Sequence, residues 1–262
     1  MPAQDDPILF NTRDARGVLT LTLNRPLAFN ALSEALLAAL ELDLTATAKD
    51  ESVRAVVLAA SGKAFCAGHD LREMRREPSQ SYYERLFAQC SRFMLAIQRL
   101  PVPVIARVQG MATAAGCQLV AACDLAVASS DARFAVSGVK LGLFCSTPGV
   151  ALSRNIGRKA AFEMLVTGDF ISAEEARAQG LVNRVAPPER LDAEVEVLAA
   201  AIVAKPRVAV TLGKELFYRQ LELGVEDAYA AASNVMACNM MDEAALEGVQ
   251  AFLEKRKPAW NA

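Results

Sequence analysis

One histidine stands among 262 residues: His69, in the run Lys63-Ala64-Phe65-Cys66-Ala67-Gly68-His69-Asp70-Leu71. With an ordinary pKa near 6.5 it is the side chain best suited to proton transfer near neutral pH, and Asp70 follows it directly. A second run, Gly110-Met111-Ala112-Thr113-Ala114-Ala115-Gly116-Cys117-Gln118-Leu119, consists mostly of small residues around one amide side chain, Gln118. Small residues at the ends of both runs let backbone N–H groups approach a ligand oxygen. Taken singly, the first run also reads as a tight turn and the second as close helix packing. Cys145 and Ser146 are candidate nucleophiles, but no base lies beside them in sequence, so loop packing is the simpler reading. One histidine excludes a multi-histidine metal site within a single chain. The six cysteines (Cys66, Cys90, Cys117, Cys123, Cys145 and Cys238) form neither a CxxC pair nor a metal-ligand spacing.

These residues must be held by a framework, and the pattern predicts one. Residues 18–24 alternate apolar and polar with β-branched side chains, as a half-buried strand does. Ser33 is placed to cap a helix running to residue 48. The unbroken Ala-Val-Val-Leu-Ala-Ala within residues 54–60 predicts a strand buried on both faces. Residues 79–100 have helical spacing and stop at Pro101 and Pro103. Strands are expected at 104–108 and 125–128, with a short helix at 115–122 between them. Such alternation predicts an α/β fold with parallel pairing through helical crossovers. From about residue 191 the pattern turns helical, at 193–204, 207–223, 225–241 and 242–257, punctuated by Pro206, Gly224 and Pro258. The division is therefore a 1–190 body and a 191–262 helical region, whose apolar side serves either subunit packing or burial against its own body.

Composition narrows the function. Apolar residues make up 53% and charged residues 22%, and the formal net charge is −2. That balance offers no broad electrostatic reason for a nucleic acid or membrane-surface partner. No apolar run reaches the ~18 residues needed to span a bilayer, which predicts a soluble protein. Scattered cysteines and no secretory leader predict a reduced, cytoplasmic setting.

The two runs, in this order and spacing, resemble the loops with which the crotonase (enoyl-CoA hydratase/isomerase) superfamily holds a thioester carbonyl. The resemblance extends to Asn24-Arg25-Pro26, Asn30-Ala31-Leu32, Pro101-Val102-Pro103-Val104-Ile105-Ala106, Cys123-Asp124-Leu125-Ala126 and Gly180-Leu181-Val182-Asn183-Arg184-Val185. The block Gly142-Leu143-Phe144-Cys145-Ser146-Thr147-Pro148-Gly149 resembles the subgroup called enoyl-CoA hydratase domain-containing protein 3. The resemblance implies a spiral of ββα turns with a C-terminal helical trimerisation region, and assembly as a homotrimer or a dimer of trimers. It also implies a coenzyme A thioester as substrate, with no permanently bound cofactor and no metal.

For individual residues, the resemblance implies that the backbone N–H groups of His69 and Ala115 form an oxyanion hole. The coenzyme is expected along Leu27, Ala28, Ala67, His69, Asp70 and Leu71. Many relatives carry lysine at the Leu27 position, so a phosphate contact would have to come from Arg25, Lys63 or the Lys255–Lys257 cluster. Gln118 and Gly138 stand where a hydratase of this family carries its two catalytic glutamates. Glutamine positions a water but takes up no proton near neutral pH, and glycine offers no side chain. With general acid–base help worth about 10²–10⁴-fold, conventional hydration is expected to be weak or absent. Isomerisation, decarboxylation or hydrolysis of a thioester, or acyl-CoA binding without turnover, are the alternatives.

Overall fold

A computed structural model describes residues 6–76 and 78–260; residues 1–5, where a leader would begin, lie outside it. The chain opens with strands β1 (Leu9–Arg13) and β2 (Val18–Leu23) and helix α1 (Glu34–Thr47), capped by the Ser33 hydroxyl accepting from the Leu36 amide. Next come β3 (Ala55–Ala60), β4 (Ala64–Cys66), α2 (Leu71–Arg76) and α3 (Gln80–Arg99). They are followed by β5 (Val104–Val108), β6 (Met111–Thr113) and α4 (Ala115–Ala122), then β7 (Leu125–Ser129) and β8 (Arg133–Ala135). Helices α5 (Ser146–Asn155) and α6 (Arg158–Thr167) precede β9 (Ile171–Ser172), α7 (Ala173–Gln179) and β10 (Arg184–Ala186). Four helices end the chain: α8 (Leu191–Val203), α9 (Arg207–Gln220), α10 (Val225–Met240) and α11 (Glu243–Leu253).

The strands form two sheets. A six-stranded sheet has the order β1-β2-β3-β5-β7-β10, with only β1 antiparallel to its neighbour, and a four-stranded sheet has the order β4-β6-β8-β9. In the pairs β3–β4, β5–β6 and β7–β8, the longer strand enters the large sheet and the three-residue strand the small one, and helices follow. This is the expected ββα spiral. Parallel neighbours need such crossovers because a hairpin cannot join them.

Every residue of β3 is buried, and two different groups of side chains bury it. Val56 and Leu58 join the main core with α1 and α3, whereas Val57, Val18, Ile105 and Val127 pack on the other face against Leu191, Val195 and Ala199 of α8. Helix α8 thus covers the outer face of the large sheet, although it follows the residue-190 division.

Helix α9 is pinned by a buried charge. Lys214, 9% exposed, directs its ammonium group to the Ile97 and Val102 carbonyls at 2.9 and 3.0 Å and to Asp124 Oδ2 at 2.7 Å. Those three bonds use all its hydrogens. Asp124 also accepts from the Val104 amide and, at 2.7 Å, from the Tyr218 hydroxyl. Large apolar side chains of α9–α11, among them Phe217, Tyr229, Met236 and Phe252, are exposed in the single chain. No described helix is long and apolar enough to cross a membrane.

Removing one member of a buried ion pair leaves the other charge uncompensated, a loss of about 3–5 kcal/mol. Lys214→Met is expected to lower unfolding free energy by that order in chemical denaturation; a variant as stable as the parent would show that the clamp contributes little.

Candidate active site

The parallel pairing of β4 with β6 matches Ala64 with Met111 and Cys66 with Ala112, so the residues leaving each strand emerge side by side. Gly68 meets Ala114 and Ala115 there. A Cβ on Gly68 would lie 2.9 Å from Ala114 Cβ and 3.2 Å from the Ala115 nitrogen, and its φ of 92° also favours glycine. At Gly116 a Cβ would come within 2.1 Å of the Cys66 carbonyl oxygen. Both small-residue runs are therefore small for one reason: their backbones touch. Ala114 precedes α4 with φ 51° and ψ −121°, a conformation that costs an L-residue about 1–3 kcal/mol. Its amide is held by the Ala135 carbonyl at 2.9 Å.

On the other side, the first run is sewn to residues 25–32. The Leu32 amide donates to Gly68 O at 2.8 Å, and the Asp70 amide donates to Leu32 O at 3.1 Å. In such a parallel bridge the N–H of the residue between, His69, points to the opposite edge. Among the described residues, neither the His69 nor the Ala115 amide donates to a protein acceptor. The sequence-expected pair thus lies on two abutting segments with both N–H groups uncommitted, and the Ala115 amide opens the first turn of a helix whose dipole favours negative charge.

The His69 side chain is turned away from solvent. Its ring meets Phe87 of α3 edge-on at 5.5 Å, and neither ring nitrogen has a hydrogen-bond partner. Burial alone lowers its pKa from 6.5 to about 4. The imidazole is therefore neutral at pH 7 and only weakly basic. Gln118 is 5% exposed, and its Oε1 is also buried without a partner.

Gly138 is closed as well as bare. A Cβ there would sit 2.5 Å from the Leu143 carbonyl oxygen and 2.7 Å from Cys145 Sγ, and the Gly138 amide donates to that sulfur at 3.3 Å. A glutamate at this position would require the 143–145 segment to move. Cys145 is buried, and desolvation raises its thiol pKa despite that bond, so it is a poor nucleophile. Ser146 is exposed at the start of α5. Burial pushes the Cys66 and Cys117 thiols up to about 12, as expected of packing residues. Sequence reasoning passed over the Thr113–Ser137 hydroxyl pair, 2.8 Å apart beside Ala114 and Gly138. Serine and threonine this common carry no signal until the strands align them.

The residues expected along the coenzyme are brought together. Leu27 and Ala28 form a short turn after Arg25, the Ala67 amide donates to Phe29 O at 3.0 Å, and Leu27 and Leu71 are exposed. Asp70 is structural: it pairs with Arg25 at 2.8 Å and caps α2 by accepting from the Arg72 amide at 3.0 Å. Desolvation would raise its pKa, but Arg25 and the capping amides outweigh this and lower it. Arg25 also donates to Ala31 O, so its guanidinium is committed within the loop. In the tail cluster, Arg256 pairs with Glu247 and Glu254.

The family model described as enoyl-CoA hydratase/isomerase matches residues 13–262. The chain belongs to the crotonase (enoyl-CoA hydratase/isomerase) superfamily. It is 44% identical to the mouse mitochondrial enoyl-CoA hydratase domain-containing protein 3 over 259 residues, spanning 99% of this chain and 86% of that protein. The crystal structure of the human enoyl-CoA hydratase domain-containing protein 3 superposes with a TM-score of 0.94 at 44% identity, covering 97% of this chain and all of that one. The crystal structure of an enoyl-CoA hydratase from Mycobacterium smegmatis gives a TM-score of 0.98 at 71% identity, covering 98% of this chain and all of that one. Within the superfamily the chain groups with enoyl-CoA hydratase domain-containing protein 3. The cytoplasmic expectation is overturned, because the mouse, rat, frog, human and zebrafish members of that group are named mitochondrial. Scattered cysteines without a disulfide do not identify a compartment.

In this crotonase, burial of neutral His69 makes stability depend on pH. Between about pH 4 and 6.5 the unfolded chain binds a proton that the folded chain does not, so stability rises with pH across this window, by up to ~3 kcal/mol from this residue. Unfolding free energies of the parent and His69→Leu are expected to differ by an amount that changes between pH 4 and 6.5 and is level above 7; a difference constant across the whole range contradicts this.

Proposed function

We propose that this crotonase binds an acyl-CoA thioester and polarises its carbonyl through the main-chain amides of His69 and Ala115. The observation that carries the reading is the abutment of Gly68 on the Ala115 nitrogen, with both amides uncommitted. Charge developing on the carbonyl oxygen in an enolate or tetrahedral intermediate would meet two pre-aimed donors, each worth roughly 3–4 kcal/mol in sites of this kind. Leu27, Ala28, Ala67, Asp70 and Leu71 line the approach for the coenzyme, which is substrate and not a resident cofactor.

Conventional hydration is expected to be weak or absent. Gln118 supplies hydrogen bonds without proton uptake, Gly138 is sterically closed, and His69 is too weak a base to replace a carboxylate near neutral pH. A second reading, acyl-CoA binding without turnover, is favoured by the Cys145 sulfur lying where a side chain at 138 would begin. Isomerase, hydrolase or decarboxylase chemistry would have to use a bound water or the carbonyl polarisation itself.

The family resemblance implies a homotrimer or dimer of trimers, and the exposed apolar side chains of α9–α11 offer surface for such subunit packing. Light scattering is expected to give a mass that is a multiple of three chains; a monomer at micromolar concentration removes that assignment.

Calorimetry is expected to detect saturable binding of short acyl-CoA thioesters. Crotonyl-CoA hydration should remain far below the typical enzyme turnover of ~10 s⁻¹, and in Gln118→Glu as well, because Gly138 still lacks its partner. Turnover at or above that level in the parent protein refutes the loss of hydratase chemistry; no affinity for any acyl-CoA refutes the site.

A further inference from the structure

The large sheet ends on one side in β10, three residues long, and on the other in β1, five residues long and paired only with β2. Two hydrogen bonds just beyond β1 fix which of its groups face β2. The Asn24 amide donates to Ile8 O at 2.8 Å, and the Asp14 amide donates to Val18 O at 3.1 Å. In an antiparallel ladder such bonded pairs alternate with unbonded ones. The register therefore assigns the backbone groups of Phe10 and Thr12 to β2 and turns those of Leu9, Asn11 and Arg13 to the free edge. Among the described residues these outward groups find no backbone partner. An open edge of this kind is a template for another strand, and β1 has neither a proline nor a bulge to block one.

We propose that the partner is a second copy of this chain, its β1 pairing antiparallel with β1 here to join two large sheets into one. The edge is complementary to itself. Its outward residues are centred on Asn11, so a two-fold axis sets Asn11 opposite Asn11 and Leu9 opposite the second copy's Arg13. Each such pair exchanges two N–H···O bonds. On the outer face the same register puts Phe10, 38% exposed, opposite the second copy's Thr12, an aromatic–β-branched pair that favours sheet pairing. The two Arg13 side chains lie at opposite ends of the joint, each already paired with its own Asp50 at 2.8 Å. Beneath the sheet, Asn11 donates to Asp43 of α1 at 3.2 Å, which brings that helix beside the axis. The solvent side of α1 carries Ala35, Ala39, Leu42 and Ala46 at helical spacing, with Leu42 70% exposed. Small side chains let the two α1 helices approach, and Leu42 gains apolar neighbours. The joint is independent of the trimer: alone it makes dimers, and with the trimer it makes six chains.

Light scattering of the full-length protein at micromolar concentration is expected to give two or six chains. Asn11→Pro should halve that mass and leave the circular-dichroism spectrum unchanged, because the Asn11 amide takes no part in pairing with β2 and edge strands tolerate proline there. Asn11→Cys, in a Cys238→Ser background that removes the exposed native thiol, is expected to form a covalent dimer in glutathione disulfide. Opposed residues of this register hold their Cα atoms about 5.5 Å apart, inside the roughly 4.4–6.8 Å that a disulfide spans. A parent mass of one or three chains overturns the joint, as does an undiminished mass for Asn11→Pro or the absence of the covalent dimer. A mass of two chains keeps the joint and removes the trimer instead.

Discussion

The site depends on two chain segments approaching until there is room for no side chain between them. Gly68 against Ala115 and Gly116 against Cys66 are contacts that a Cβ would break. A main-chain amide aimed at a ligand is useful only if its position is fixed, and here close packing of main chain against main chain fixes it. The strained backbone of Ala114 belongs to the same arrangement: its amide is tied to Ala135 while the next amide is left uncommitted. The surrounding spiral brings β4 beside β6 so that this approach takes place.

Support for the first loop comes from polar residues distant in sequence. Asn30, fully buried with φ 54°, accepts from the Arg25 amide and donates to the carbonyls of Ser61 and Ala64 at 2.8 Å. Arg25 reaches forward to Asp70. Together they tie the start of α1, the end of β3 and the loop bearing His69 into one unit. Residues that could pass for catalytic or phosphate-binding groups are thereby occupied in holding shape. The segment carrying Gly138 is packed against Leu143 and Cys145, whose carbonyl oxygen and sulfur fill the space a larger residue would need. A main-chain donor keeps its N–H whatever side chain stands at its position, whereas a carboxylate is lost with the residue that carries it.

Much of this was legible in the sequence. The strands expected at 54–60, 104–108 and 125–128 and the helices at 79–100 and 115–122 occur within a residue or two of those limits, because apolar runs, helical spacing and stops such as Pro101 are local signals. The strands β4, β6, β8, β9 and β10, with two or three residues each, lack a period to read and form by pairing with neighbours. The helix pattern of α8 was visible, but not the sheet face it covers. Nothing in the 207–223 helical pattern singles out Lys214, because its partners, Asp124 and two carbonyls, lie about ninety to one hundred and twenty residues distant along the chain.

The sequence alone established the superfamily and the two small-residue runs, and it showed Gln118 and Gly138 at the positions where the family resemblance implies glutamates, since residue identity and spacing are local properties. Tertiary structure decided what those residues do for one another. It placed Gly68 on Ala115, buried both nitrogens of His69 beside Phe87, committed Arg25 and Asp70 to the loop, and filled the space at Gly138 with Cys145. Contact and burial arise between segments distant along the chain, and a pattern of neighbours in sequence does not contain them.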